Sequence, residues 1–237
     1  MGIFDSMKQS MDIRKAIAKH QKGDIEGAFA DYETFYKAGI MDARYLLPYT
    51  ILIIRKGGTE NYEIAKDILR KLDKMPGIEA DKKQQIHLNY AVAQYKLGNL
   101  EQAIHLLESS HKKNPCELTF GALGFIYIEA GDVEKGLSFN LEALEYDDED
   151  PVVLDNLGQY YYRVINDKEK ALPYFQKAHQ IKETQIDTLY FLAQYDLENG
   201  DKEAAIEKLE TASEGRFSPL NYVTKEIIEK HIETLKA

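Results

Sequence analysis

A two-residue turn signal recurs along this chain at nearly fixed intervals. In five of six copies glycine leads, and in five of six the second residue is aspartate or asparagine. The intervals are 34, 41, 33, 35 and 34 residues, and self-similarity at such a period is typical of stacked helical repeats. The copies are Gly23-Asp24, Gly57-Gly58, Gly98-Asn99, Gly131-Asp132, Asn166-Asp167 and Gly200-Asp201.

The residues on either side of each signal have helical spacing. In Leu88–Tyr95 and Leu100–Leu107, apolar residues recur at i, i+3, i+4 and i+7, which is the pattern of one buried helix face. Glycine can end a helix in a left-handed conformation, and the Asp or Asn beside it can accept hydrogen bonds from the first amides of the next helix. Strand-like alternation is absent. We therefore predict an all-α fold of helix, tight turn and helix.

Small residues recur in register with the turn signals, and several motifs together resemble the tetratricopeptide repeat (TPR) family. The residues that carry the resemblance are Leu123-Gly124 with Tyr127 and Gly131-Asp132, then Leu157-Gly158 with Tyr161, Ala171, Phe175 and Ala178, and finally Ala91, Gly98, Ala103 and Pro115. The resemblance covers nearly the whole chain and implies a right-handed superhelical α-solenoid. The chain departs from it by lacking tryptophan, by Pro48 inside an expected helix, and by one extra residue near Asn166.

About six TPR-like hairpins are expected, followed by a capping helix. Pro48 is expected to kink or shorten its helix, because proline lacks an amide hydrogen. Ser218-Pro219 has the form of a helix start, so a C-terminal capping helix that begins at Ser218 is predicted over residues 218–237. An apolar stripe of Ile3, Phe4, Met7 and Met11 is expected to cover the first unit. The predicted units are 9–42, 43–80, 84–116, 117–150, 151–185 and 186–217, which make up a repeat array over 1–217.

In the TPR family the first helix of each unit lines a concave groove, which usually holds the ligand. By register, the resemblance therefore assigns twelve residues to a partner-binding groove that is apolar and aromatic, with a few amides. Tyrosine suits recognition because it offers a large contact area with a polar tip. The alternative is that these side chains pack between neighbouring helices. The twelve are Leu88, Asn89, Val92, Tyr95, Phe125, Ile128, Asp155, Asn156, Gln159, Tyr162, Tyr190 and Gln194.

Charge narrows the choice of partner. The chain has 40 acidic against 30 basic residues, a formal net charge of −10, so binding to nucleic acid or to anionic lipid is not expected. A protein or peptide with a basic patch would associate faster with such a surface. The leading hypothesis is a non-catalytic interaction module or scaffold that binds a peptide or helix, as a monomer or weak homodimer.

Other classes of function have weaker support in the sequence. A TPR-type regulatory sensor of a short signalling peptide is the alternative that stays open, although no residues are left over for an effector domain. We find no nucleophile constellation, metal-ligand spacing or phosphate loop, so no enzyme activity, metal or cofactor is expected. The acidic run Asp147–Asp150 is interpreted as a turn with Asp150 as N-cap. The single cysteine and the lack of a secretory signal favour the cytoplasm.

Overall fold

The predicted all-α class is confirmed. The computed structural model describes residues 3–237, with side chains from Met7 onward, and within that range the chain forms thirteen α-helices, one π-helical segment and no β-strand. The helices are α1 Ile3–Gln21, α2 Ile25–Lys37, α3 Ala43–Lys56, α4 Thr59–Asp73, α5 Ala80–Lys96, α6 Leu100–Lys113, α7 Glu117–Glu129, α8 Val133–Tyr146, α9 Pro151–Gln159, α10 Lys168–Ile181, α11 Ile186–Glu198, α12 Lys202–Ser213 and α13 Lys225–Lys236, and the π-helical segment is Tyr160–Ile165.

The turn signals have the predicted chemistry. Gly23, Gly98, Gly131 and Gly200 all have positive φ, between 69° and 87°, where a side chain would be strained. The aspartate that follows three of them caps the next helix, and so does Asp167 after Asn166. Each of these carboxylates accepts a hydrogen bond from the backbone amide three residues later, at 2.9–3.0 Å. Local sequence alone therefore determines where these helices end and begin.

The extra residue near Asn166 is accommodated by a change of helix type. The π-helical segment Tyr160–Ile165 follows α9 directly, and Asn166 then ends it at φ 58°, the sole positive φ of a non-glycine residue in the described chain. A π-helix takes up a one-residue insertion without breaking the helix axis. The turn signal therefore stays in register with its neighbours even though the repeat is one residue longer.

Pro48 does not shorten its helix, contrary to one part of the sequence-based expectation. The helix α3 runs for 14 residues, and Pro48 is its sixth. Pro173 occupies the same sixth position in α10. Near the start of a helix, proline removes a single backbone hydrogen bond. In α3 the packing of the apolar face outweighs that loss, because seven of the fourteen residues of this helix are buried.

The described residues divide into two compact units between Asn99 and Leu100. In the first unit, α1 packs on α2 and α3 packs on α4, and α3 also contacts α1 and α5. Tyr32 is fully buried, with its ring centroid 5.8 Å from that of Tyr45 and 6.3 Å from that of Tyr49. These three tyrosines therefore join α2 to α3 in the core of the unit.

The second unit contains α6 to α13. Each helix from α6 onward packs on the next, and α7 also contacts α9 directly. Gly158 in α9 permits close approach to α10, because a Cβ at this position would lie 2.6 Å from the Phe175 ring. Phe175 in turn stacks on Phe191 of α11, with centroids 4.9 Å apart. Small residues facing large ones thus bring three successive helices together.

The predicted start of the C-terminal helix is wrong. The helix α13 begins at Lys225, with Thr224 as its N-cap, whereas Ser218-Pro219 opens a turn in which the Ser218 hydroxyl accepts from the amide of Leu220. The Asp187 carboxylate accepts the amides of Tyr222 and Val223, and these bonds hold the backbone in a non-helical course. We call residues 218–224 the strap.

The apolar stripe that was expected to cover the first unit does not do so at the two positions whose side chains the structure describes. The side chains of Ile3 and Phe4 lie outside the described residues. Met7 and Met11 are 61% and 56% exposed. Among the described side chains of α1, the buried apolar ones are Ile13 and Ala16, and this helix packs on α2 and α3.

Candidate recognition surface

The predicted groove residues lie on α5 in the first unit and on α7, α9, the π-helical segment and α11 in the second. We call α7, α9 and α11 the leading helices of the second unit. Hydrogen bonds join consecutive leading helices: Asn156 Nδ2 donates to the Gly121 carbonyl at 3.0 Å, and Thr188 Oγ1 donates to Asp155 Oδ1 at 2.6 Å. The leading helices therefore form one continuous row.

Burial separates the twelve residues into two groups. The partly exposed residues are Tyr95, Tyr162, Tyr190 and Gln194. The other eight are buried against the chain itself, at 0–9% exposure: Leu88, Asn89, Val92, Phe125, Ile128, Asp155, Asn156 and Gln159. The surface that a partner could touch directly therefore includes fewer residues than the predicted groove.

Three of the four amide side chains expected to bond a peptide backbone are already used within the protein, whereas Nδ2 of the buried Asn89 has no hydrogen-bond partner among the described residues. Asn156 bonds Gly121, Gln159 Nε2 donates to Asp155 Oδ2 at 2.7 Å, and Gln194 Nε2 donates to the Tyr190 carbonyl at 3.0 Å. Buried amides are normally paired in this way, because an unpaired one costs about 1–3 kcal/mol. These three donors therefore stabilise the helix row.

An aromatic cluster surrounds Tyr162 and Tyr190. The Tyr162 ring lies 5.0 Å from that of Phe191, and Tyr190 lies 5.5 Å from the same ring. Tyr222 of the strap stacks on Phe191 at 5.5 Å and is 39% exposed. Lys168 Nζ sits 5.1 Å from the Tyr162 centroid. The partly exposed part of this cluster is an aromatic face with a cation at its edge, an arrangement that suits contact with another protein.

Comparison with solved structures decides the fold. A TPR protein from Parabacteroides merdae superimposes with a TM-score of 0.76 at 14% identity, covering 96% of this chain and 84% of that one. The chain has the tetratricopeptide repeat fold. The TPR protein TTC0263 from Thermus thermophilus agrees, with a TM-score of 0.65 at 14% identity, covering 82% of this chain and 99% of that one.

A third TPR-fold match is part of a larger assembly. The structure of the APC/C hetero-tetramer Cut9–Hcn1 superimposes with a TM-score of 0.62 at 15% identity, covering 93% of this chain and 42% of the matched chain. No protein-family profile matches this TPR-fold chain, and no curated protein matches it in sequence. The resemblance inferred from the sequence is thus confirmed at the level of fold.

Sequence reasoning missed Arg163, a polar residue with three partners at this surface. Its guanidinium carbon lies 3.7 Å from the Tyr222 ring centroid, one nitrogen lies 2.7 Å from Glu129 Oε1, and another donates to Gln159 Oε1 at 2.9 Å. Arg163 belongs to the π-helical segment, whose register departs from the repeat. The extra residue near Asn166 was the available signal, and it pointed to this segment.

Two carboxyls of the leading helices are buried. Asp155 and Asp187 are each 4% exposed. Burial raises the pKa of both; the nearby Asp187 charge adds to the effect on Asp155, whose pKa reaches about 7. For Asp187, bonds from Asn221, Tyr222 and Val223 oppose the increase. Asp155 was predicted as a groove residue, but the structure places it inside the helix row.

Three further features of the described part of the chain bear on the predictions about metal binding, the acidic run and membrane spans. No three His, Cys, Asp or Glu side chains there are grouped so that they could hold a metal ion. Asp150 caps α9, since its carboxylate accepts the Val152 amide at 2.8 Å, as predicted. From Ile3 onward, no helix is both long and apolar enough to cross a membrane.

Proposed function

We propose that this TPR-fold protein is a non-catalytic interaction module, a scaffold that binds a peptide or helix of a partner protein along the first helices of its hairpins. The observation that carries the proposal is the partial exposure of Tyr162, on the π-helical segment that continues α9, and of Tyr190, on α11. Exposed tyrosines backed by a rigid aromatic core are effective binding anchors, because little side-chain entropy is lost on contact. In the first unit, Tyr95 on α5 has the same partial exposure.

The charge distribution supports a basic partner. Residues 1–99 carry 16 Lys and Arg against 13 Asp and Glu, whereas residues 100–237 carry 14 against 27. The net negative charge therefore belongs to the unit that contains Tyr162 and Tyr190. A partner with a basic patch would be steered toward that unit, and nucleic acid or an anionic membrane would be repelled. Self-association is expected to be weak or absent.

We infer that the six predicted repeats correspond, in chain order, to the helix pairs α1/α2 through α11/α12, and that the strap and α13 form a C-terminal cap. A cytoplasmic location is inferred from the single cysteine, which suits a reducing compartment.

Affinity capture from native lysate, followed by binding measurements on the captured partner, tests this function. Replacing Tyr162 and Tyr190 with Ala is expected to weaken partner binding about tenfold or more, because aromatic anchors carry most of the energy of an interface. Binding to the wild type should weaken between about 50 and about 300 mM salt, since the steering term is screened. Tyr95→Ala tests the first unit separately.

Tyr146→Ala is the matched control, because Tyr146 is 56% exposed but lies on α8, outside the leading helices. All variants are first compared by circular dichroism melting, so that a loss of fold is not mistaken for a loss of binding. Unchanged affinity in the Tyr162/Tyr190 variant, or an equal loss with Tyr146→Ala, would contradict the proposed surface.

A further inference from the structure

Asp155 is a carboxyl buried among neutral donors. Its two oxygens accept hydrogen bonds from Thr188 Oγ1 at 2.6 Å and from Gln159 Nε2 at 2.7 Å. Neither donor carries a charge, and the nearest cation, Arg163, bonds the far side of the Gln159 amide. An ionised carboxylate in such a place is poorly compensated. A protonated Asp155 avoids that cost, and its O–H can donate to Thr188 Oγ1, since a hydroxyl oxygen also accepts.

Asp187, the residue before Thr188, holds the strap. Its Oδ2 accepts from Asn221 Nδ2 at 3.0 Å and from the Tyr222 amide at 2.9 Å, and its Oδ1 accepts from the Val223 amide at 3.2 Å. Burial raises the pKa of this carboxyl, and the three donors, which favour its ionised form, oppose that increase. The strap is thus fastened by the buried Asp187 carboxylate. Asp187 is next in sequence to Thr188, the hydrogen-bond partner of Asp155.

Arg163 closes these contacts into a ring. It touches Gln159 on one side and the Tyr222 ring on the other, and it pairs with Glu129 of α7. The ring therefore runs from Asp155 through Gln159 and Arg163 to Tyr222, then through Asp187 and Thr188 back to Asp155. With every acid ionised, the single Arg163 charge acts on Asp155 and Asp187 as well as on its partner Glu129; with Asp155 protonated, it acts on two carboxylates.

We propose that Asp155 is a proton-operated switch that holds the strap closed on the leading helices when its carboxyl is protonated and loosens the strap when it is ionised. The physical cause is repulsion between the ionised Asp155 and the Asp187 charge that fastens the strap, in surroundings where one Arg163 must compensate both as well as Glu129. This switch acts on the chain's own packing, so it stands or falls independently of any partner.

The direction of the pH effect follows from the raised pKa of Asp155, about 7 in the folded protein. In the unfolded chain an aspartyl pKa is about 3.9. The stabilisation is therefore fully present below the unfolded value and is lost as the pH rises through the folded value. Between pH 7.5 and 5.5, this one group is expected to raise the folding equilibrium constant about twentyfold.

Two measurements on the full chain test the switch. Urea unfolding between pH 5.5 and 7.5 gives the stability, and amide hydrogen exchange, expressed as protection factors, reports on Tyr222 and Val223. Protection of these two amides should fall as the pH rises toward about 7.5. Asp155→Asn mimics the protonated carboxyl and should keep the strap protected throughout, with the twentyfold change removed.

Two matched variants isolate Asp155. Asp148→Asn removes an exposed carboxylate and should retain the wild-type pH dependence. His231→Gln removes the histidine of α13, whose ring lies 6.1 Å from that of Tyr190, and should retain it as well. A wild type with flat stability and flat strap protection over this range would overturn the proposal. So would an Asp155→Asn variant that keeps the wild-type slope.

Discussion

Replacing Phe175 with alanine is expected to lower the free energy of unfolding by about 3–5 kcal/mol, as large-to-small changes of buried aromatic residues do. The Phe175 ring is fully buried, stacks on Phe191 with centroids 4.9 Å apart and lies directly over Gly158. Its removal opens a cavity between α9, α10 and α11. Urea unfolding followed by circular dichroism measures the loss.

Gly158→Ala sharpens this test. An added Cβ would lie 2.6 Å from the Phe175 ring, so the substitution should destabilise the wild type clearly but cost less in the Phe175→Ala background. Tyr146→Ala, an exposed aromatic change, should cost less than about 1 kcal/mol. A Phe175→Ala loss no larger than that of Tyr146→Ala would mean that the three helices are not packed as described.

Asp187→Ala is expected to cost about 2–4 kcal/mol and to release the strap. The substitution leaves the amides of Tyr222 and Val223 and the side chain of Asn221 without their acceptor, and each unpaired buried donor costs about 1–3 kcal/mol. Relief of a buried charge offsets part of this loss. Hydrogen exchange at Tyr222 and Val223 should accelerate together with the fall in stability.

The control for Asp187 is Thr224→Ala. Thr224 caps α13 because its Oγ1 accepts a hydrogen bond from the Ile227 amide, and losing a cap costs about 1 kcal/mol. That variant should fray the start of α13 while the Tyr222 amide stays protected. Wild-type protection of the strap in Asp187→Ala would show that its carboxylate does not fasten the segment.

The fold could be predicted because its determinants are local. Glycine at positive φ and aspartate at the N-cap act within a few residues, and the predicted turns at Gly23, Gly131 and Gly200 follow from that chemistry alone. The C-terminal helix start could not be predicted, because Asp187, more than thirty residues away, captures the amides that a helix from Ser218 would have used.

The candidate site was less predictable than the fold. Helical spacing indicates which side of a helix faces its neighbours, but it does not indicate how closely the next helix approaches. Gln159 and Asp155 were predicted to line the groove, but both are buried, with Asp155 bonded to Thr188 and Gln159 bonded to Arg163. Arg163 itself lies in the π-helical segment. In the sequence, this segment is visible only as one extra residue in the repeat.

Hydrogen exchange by mass spectrometry, with and without the captured partner, tests the proposed recognition by the first helices most directly. We predict slower exchange in α7, α9 with the π-helical segment, and α11, and little change in α8, α10 and α12. Protection confined to α8, α10 and α12, with the leading helices unchanged, would contradict the proposal while leaving the fold intact.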